Sequence, residues 1–332
     1  MAERRPKIAC LLTENDENFT PEARRRLAEE FEWLPNRLGR QMNDQEKLAF
    51  CHDADCIIAG RSGGGLPGEL YSAAARLKLI AVVGGTVRQI RPHEALEKGI
   101  AIINTPAGMQ EAVAEYTLAL MLMALRDIPY FIDQMKMGRK WQARRPYYNL
   151  TGKTVGLVGL GLIARRLVEL LQPFHAKILV YDPFLDGDII RSIGAEPVEL
   201  DYLLSHSHIV SLHAGLTEST YHMIGKREIA LMPPYTILIN TARGALIDEE
   251  ALVERLRRGD LVAALNVYEK EPLPVDHPLH QVPNAILTPH SAGKSMDTYR
   301  IQSESLVEDI LRFFAGEKPH FLVTREMLER MT

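Results

Sequence analysis

Three side chains in the second half of the sequence could together hold an anion and move a proton: Arg243, Glu271 and His290. Arg243 lies in Asn240-Thr241-Ala242-Arg243-Gly244, directly after an apolar run at 236–240 that reads as a buried strand. That places a guanidinium at a strand's carboxyl end, where open α/β sheets bind their ligands. Its planar fork matches a carboxylate and stays charged at any working pH. His290 follows a shorter strand-like run at 285–288, again at a carboxyl end. An imidazole there can give or take a proton near neutrality. Glu271 stands just before Pro272 in the proline-braced loop Tyr268-Glu269-Lys270-Glu271-Pro272-Leu273-Pro274. Taken singly, each is weak. An arginine after a strand is commonly a surface ion pair, and with 11 histidines in the chain one at a strand end carries little weight.

The stretch 151–182 is what would give these groups something to act beside. An apolar run at 154–160 is short and β-rich enough for a fully buried parallel strand. The turn Gly159-Leu160-Gly161-Leu162-Ile163-Ala164 follows. Apolar residues then recur at helical spacing from Ile163 through Leu167, Leu170 and Leu171, and a second buried-strand run at 177–181 ends in Asp182. This is the G-x-G-x-x-A form of a dinucleotide-binding turn. Gly159 allows the tight turn, Gly161 has no Cβ to block a pyrophosphate, and Ala164 lets the helix pack on the sheet. The free N–H groups and positive dipole end of the helix would face the phosphates. Asp182 would accept hydrogen bonds from the adenosine ribose and repel a 2′-phosphate, favouring NAD over NADP. The other reading is a glycine-rich βα turn with no ligand. Strand, helix, second strand and acid in register favour the dinucleotide.

The 332 residues make room for about two domains, and 46% hydrophobic with 25% charged residues are ordinary globular values. A net charge of -4 gives no reason to expect nucleic acid or an anionic membrane as partner. Three cysteines, Cys10, Cys51 and Cys56, cannot build a disulfide framework. The N-terminus lacks a signal-peptide apolar region, and the run at 116–125 is too short to span a bilayer. The expectation is a soluble cytoplasmic protein.

Residues 7–104 read as strands near 7–13, 31–35, 56–60, 77–84 and 100–105, alternating with helices near 21–30, 44–51, 67–75 and 92–98. Such alternation predicts a parallel sheet covered on both faces. Cys51-His52 followed by Cys56 is not taken as a metal site, because Cys56 opens an apolar strand and no second ligand pair follows. A long helix is expected from about 111 to 137, apolar nearly all round in its first half and so buried between domains or subunits. The basic stretch Arg139-Lys140-Trp141-Gln142-Ala143-Arg144-Arg145 reads as a solvated linker rather than a nucleic-acid contact, with an active-site role for one arginine left open. Beyond Asp182, strands are expected at 209–214, 236–240, 261–267 and 285–288, with helices near 186–193, 199–205, 226–232, 248–258 and 296–315. Asp248 is a good N-cap for the fourth of these helices.

Taken together, the motifs resemble the NAD-dependent D-isomer-specific 2-hydroxyacid dehydrogenase family over nearly the whole chain. NTPAGMQEAVAEYTLALML, VGLVGLGLIA, ILVYDP, IVSLHAGLTEST, ILINTARGALIDEEAL, AALNVYEKEPLP and AILTPHSAG stand in the family's order. The resemblance implies a Rossmann NAD-binding domain, 105–290, inserted into a flavodoxin-like substrate domain made of 1–104 and 291–332. It implies that Arg243 holds the substrate's carboxylate and keto oxygen, and that His290 is the acid in ketone reduction and the base in alcohol oxidation. Glu271 would pair with His290 and favour its charged form. Leu162 and Ile163 would offer N–H groups to the pyrophosphate, with Gly159, Gly161, Asp182, Ala214, Thr241, Ala242, Arg243, Asn266, His290 and Gly293 completing the cofactor site. Gly84, Gly85 and Thr86 would bind the substrate carboxylate. The helix region at 111–137 would form a homodimer interface. No metal is implied. The substrate would be a 2-keto or D-2-hydroxy acid.

Four positions depart from the family's pattern. Asn266 stands where an aspartate is usual, so the site beside the nicotinamide carboxamide loses a charge. Arg88 replaces an acid, either as a second substrate anchor or, the favoured reading, as a surface charge. Gly215 replaces a proline, and Ser291 an apolar residue after the histidine. The expectation from the length is a chain without the extra C-terminal regulatory domain of some phosphoglycerate dehydrogenases. A different class stays in view: NAD-sensing binding proteins of the corepressor type share the fold and much of the same triad.

Overall fold

The computed structural model describes residues 4–139 and 142–328. The chain divides into two compact units, one of Met1–Met109 with Lys294–Thr332, the other of Gln110–Gly293. In chain order the elements begin β1 (Lys7–Thr13), α1 (Pro21–Glu30), β2 (Glu32–Asn36), α2 (Asp44–Cys51), β3 (Cys56–Gly60), α3 (Leu70–Ala73), β4 (Leu79–Val83), α4 (Pro92–Glu97) and β5 (Ala101–Asn104). They continue α5 (Met109–Leu125), α6 (Ile128–Lys136), β6 (Thr154–Val158), α7 (Leu162–Leu171), β7 (Lys177–Tyr181), α8 (Gly187–Ser192), β8 (Glu196–Pro197), α9 (Leu200–His206) and β9 (Ile209–Leu212). The last are α10 (Lys226–Leu231), β10 (Thr236–Asn240), α11 (Glu249–Leu256), β11 (Leu261–Leu265), β12 (Ala285–Leu287), α12 (Met296–Phe314) and α13 (Arg325–Leu328).

The first unit is a five-stranded parallel sheet of order β2-β1-β3-β4-β5, the flavodoxin-like order. The period-2 geometry of a strand explains its two cores. On β1, Ala9 and Leu11 face one cluster with Ile57, Leu70 and Ile80, while Ile8, Cys10 and Leu12 face another with Leu27, Leu306 and Ile310. Both faces are thus covered, and the strands read as continuous apolar runs. Helix starts follow their caps. Thr20 accepts the Ala23 N–H before Pro21, and Asn43 with Glu46 makes a reciprocal capping box.

The second unit is a seven-stranded parallel sheet of order β12-β11-β10-β9-β6-β7-β8. Read from β8, strands one to six run 3-2-1-4-5-6, the Rossmann order, with its switch point between β6 and β9. The doubly wound fold expected of both halves is what forms.

Two local expectations fail for identifiable reasons. The long helix expected at 111–137 is two helices, broken at Arg126-Asp127. Asp127 takes a left-handed conformation (φ 51°) and Pro129 opens α6, where its missing N–H costs nothing. The buried Asp127 carboxylate meets Arg144 at 2.6 Å and Arg145 at 3.1 Å, and Arg145 also donates to the Ala124 carbonyl. Those two arginines are therefore not a solvated linker. Burial raises the Asp127 carboxyl, but the paired guanidiniums outweigh it and hold it below its ordinary value. Lys140 and Trp141 of the same basic stretch lie outside the described residues. A strand with no counterpart among the sequence expectations is β8, a two-residue edge strand ending in Pro197, too short to leave a pattern and confined to the edge by its proline.

All three cysteines are buried and free, and burial pushes the Cys10 and Cys51 thiols up to about 12. Among the described residues no cluster of His, Cys, Asp or Glu is placed to hold a metal. No described helix is long and apolar enough to cross a membrane.

Candidate active site and family

The glycine turn sits at the carboxyl end of β6, beside the switch point. Gly159 has φ 90°, and a Cβ there would lie 2.8 Å from the Ala214 backbone nitrogen, so both conformation and contact require glycine. Ala214, at the end of the segment after β9, is thus a wall of the turn. Gly161 caps α7, and a Cβ on it would point into open space. That is the room a pyrophosphate needs, above the N–H groups of Leu162 and Ile163 that a helix start leaves unpaired. Ala164 is fully buried against the sheet. The residues fit a dinucleotide.

Asp182 directly follows β7, and its carboxylate already has two backbone partners. One oxygen accepts the Leu160 N–H at 2.9 Å and the other the Phe184 N–H at 3.0 Å. The acid therefore fastens the glycine turn to β7 as well as standing where a ribose would lie. Sequence reading gave it only the second task.

Loops after β10, β11 and β12 carry the remaining groups. Their carboxyl ends are adjacent because the three strands are neighbours in register. Asn240 braces the first loop: its side chain accepts the Ala242 N–H and donates to the Arg243 carbonyl. Thr241 meets Thr117 of α5 at 2.9 Å. The half-buried Arg243 donates to the Ala242 carbonyl at 2.7 Å. Gly244 touches the next loop so closely that a Cβ would come within 1.9 Å of the Tyr268 carbonyl carbon. On that loop, Glu271 Oε1 accepts the Tyr268 N–H at 3.2 Å, and Oε2 lies 2.6 Å from His290 Nδ1. A carboxylate only accepts, so Nδ1 carries the proton. Nε2 is then the atom left to exchange one with a ligand. The imidazole side chain is 50% exposed, which keeps it reachable.

The backbone of His290 is left-handed (φ 45°), and its N–H donates to the Asn266 carbonyl at 2.8 Å. The Asn266 side chain is buried and fully occupied by protein on one side. Its Oδ1 accepts the Ala292 N–H at 3.0 Å, next to Gly293, and its Nδ2 donates to Thr288 at 2.8 Å. Asparagine here can donate to Thr288 where an aspartate could not, so the departure has a local hydrogen-bonding reason. Ser291 meets Tyr116 of α5 at 3.2 Å.

In the first unit the loop after β4 is tied to β5. Gly84 N–H donates to Thr105 Oγ1 at 2.8 Å, and Asn104 Nδ2 donates to the Gly85 carbonyl. One of the three peptide N–H groups at Gly84, Gly85 and Thr86 is therefore already used. Arg88 is exposed, two residues further on.

A dinucleotide cradle at the switch point of a Rossmann sheet, with a guanidinium after β10 and a carboxylate-braced imidazole after β12, defines a class: nicotinamide-dependent oxidoreductases that move a hydride and a proton together. The family model described as D-isomer specific 2-hydroxyacid dehydrogenase, NAD binding domain, matches residues 118–292, and the chain belongs to that family. It is 36% identical over 306 residues to a glyoxylate reductase of Thermofilum pendens, covering 90% of this chain and 87% of that one. A D-3-phosphoglycerate dehydrogenase of Methanocaldococcus jannaschii is 37% identical over 278 residues, 83% of this chain, and the chain spans only 53% of that relative's length. Among solved structures, D-lactate dehydrogenase with NAD+ from Lactobacillus jensenii is 27% identical with a TM-score of 0.81, covering 96% of this chain and all of that one. The cofactor is NAD, and the reaction class is hydride transfer between NAD(H) and a 2-keto or D-2-hydroxy acid.

Proposed function

We propose that the chain reduces a small 2-keto acid of the glyoxylate or hydroxypyruvate kind, with Arg243, Glu271 and His290 as its working groups. The observation that carries this reading is the 2.6 Å pairing of Glu271 with His290, one strand removed from Arg243. The glyoxylate reductase similarity over most of both chains supports the substrate class.

NADH, when bound, supplies the hydride to C2. Arg243 holds the carboxylate and the C2 oxygen in one orientation, so the carbonyl is polarised and immobile. His290 Nε2 delivers the proton to that oxygen as the hydride reaches carbon, and takes it back in the reverse direction. Glu271 holds the imidazole in one orientation through Nδ1 and offsets its charge when protonated. The N–H groups of Gly85 and Thr86 hold the substrate carboxylate. Gly159, Gly161, Leu162, Ile163 and Asp182 would hold the dinucleotide, with Ala214, Thr241, Ala242, Asn266 and Gly293 completing its site. The first unit acts as the substrate domain and the second as the cofactor domain. We further place the protein in the cytoplasm, as a homodimer through the α5–α6 region.

The direct test is NADH oxidation at 340 nm against glyoxylate, hydroxypyruvate, pyruvate, phenylpyruvate and 3-phosphohydroxypyruvate, with NADPH in parallel. Turnover of the two small acids with NADH supports the reading. Tight NADH binding with no turnover on any of them would favour a sensing protein instead.

A further inference from the structure

Apart from the reacting pair, a carboxylate in the second unit stands out because it is buried. Glu249 opens α11 and is 9% exposed, although an acid in a helix's first turn gains from the dipole while staying in water. Withdrawing a carboxylate from water is costly unless its lone pairs are satisfied. Those of Glu249 are. Its Oε1 accepts the Glu269 peptide N–H at 2.8 Å, and its Oε2 lies 3.3 Å from His277 Nε2. The tautomer of the neutral His277 ring follows: Nδ1 accepts the Leu279 N–H, so Nε2 bears the proton, on the side that faces Glu249.

What Glu249 grips is the loop that carries Glu271. The Glu269 peptide is two residues before Glu271, and the Tyr268 N–H is itself bound by Glu271 Oε1. Tyr268 Oη donates to the Leu265 and Thr288 carbonyls, tying the loop to the ends of β11 and β12. The Glu269 side chain pairs with His222. We infer that Glu249 is a positioning residue: by holding the Glu269 peptide it fixes the loop on which Glu271 meets His290. His277 lies beside its second oxygen, with Glu269 and His222 the other titratable groups facing it. The inference rests on the reading of His290 and Glu271 as the acid–base pair.

Glu249→Ala, Glu249→Gln and Glu249→Asp test it in the full chain, by steady-state kinetics and by crystal structures of wild type and variants. A glutamine keeps an Oε1 acceptor at the same reach; an aspartate keeps the charge but draws the oxygens back. We expect E249A and E249D to lose about tenfold or more in kcat, with KM for NADH unchanged, and E249Q, which keeps the acceptor but turns its NH2 toward the His277 N–H, to lose less. In the E249A crystal the Glu271–His290 contact should open. A merely stabilising acid would show neither the kcat-only loss nor the smaller loss with glutamine. E249A turning over at the wild-type rate, or losing no more than E249Q loses, overturns the inference. If E249A does not fold, E249D decides in the same way. If wild type turns over no 2-keto acid, the functional reading fails. The crystal contact in the variants then still decides whether Glu249 positions the pair.

Discussion

At the scale of single residues, the division of labour between His290 and its surroundings sets what each substitution should do. His290→Ala removes the proton donor and leaves the glycine turn untouched. Turnover should fall by at least about 100-fold, while NADH still binds as in wild type by fluorescence titration. Unchanged turnover would remove His290 from the mechanism. A second histidine is coupled to stability instead. His213, after β9, has Nε2 2.9 Å from Ser211 Oγ, and burial pushes its pKa down to about 4 from an ordinary 6.5. Between those values the unfolded chain binds a proton that the folded one refuses. Its contribution to stability is therefore complete above pH 6.5 and lost as the pH falls toward 4, by at most about 1.4 kcal/mol per pH unit. Thermal melts of wild type and His213→Gln from pH 4 to 7 should converge at the acid end. Parallel curves would mean that His213 titrates normally. Asp182 shows how one side chain can carry two tasks. Its spacing from the glycines announced a ribose partner, whereas its grip on the Leu160 N–H depends on how the turn closes and left no trace in the sequence.

At the scale of elements, what was legible follows from periodicity. The buried strands at 7–13, 56–60, 177–181 and 236–240 end where they were expected, because parallel strands covered on both faces are uniformly apolar and their limits are sharp. Asp248 caps α11 as expected, through the Ala251 N–H. The break after α5 was not read, because it is fixed by Arg144 and Arg145 reaching back from a distant stretch to Asp127, although Pro129 was a local sign of it. Glu249 could not be singled out in the sequence for the same reason: its partner peptide is 20 residues away. The two glycines of the loops also separate cleanly. Gly161 has an extended backbone (φ -74°) open to any L-residue and empty space beside it, so Gly161→Ala should melt like wild type. Its NADH dissociation constant should nevertheless rise roughly tenfold or more, since the methyl fills the pyrophosphate's approach. Equal affinity would mean the dinucleotide does not cross Gly161.

At the scale of the whole molecule, α6 poses the outstanding packing question. It buries none of its residues, yet Ile128, Ile132 and Met135 lie at 38%, 45% and 61% exposure, with Met137 just beyond at 61%. Ile128, Ile132 and Met135 fall at i, i+4 and i+7, one face of a helix. A run of large apolar side chains on one exposed face is what a subunit interface leaves bare when the partner is absent. The proposed two-fold dimer would cover it with the same patch on both chains, without exposing a new surface. The core of the second unit does not use this face, so a charge there should cost the monomer little. Ile132→Asp should therefore sediment as a monomer at concentrations where wild type is a dimer, with the thermal midpoint falling only by the lost association. Wild type sedimenting as a monomer throughout, or Ile132→Asp remaining dimeric, would put the interface elsewhere. Because Thr117 and Tyr116 of the adjoining α5 touch Thr241 and Ser291, the same variant also asks whether association reaches the site. A dissociated chain that keeps its kcat would show that these contacts hold the catalytic loops without a second subunit.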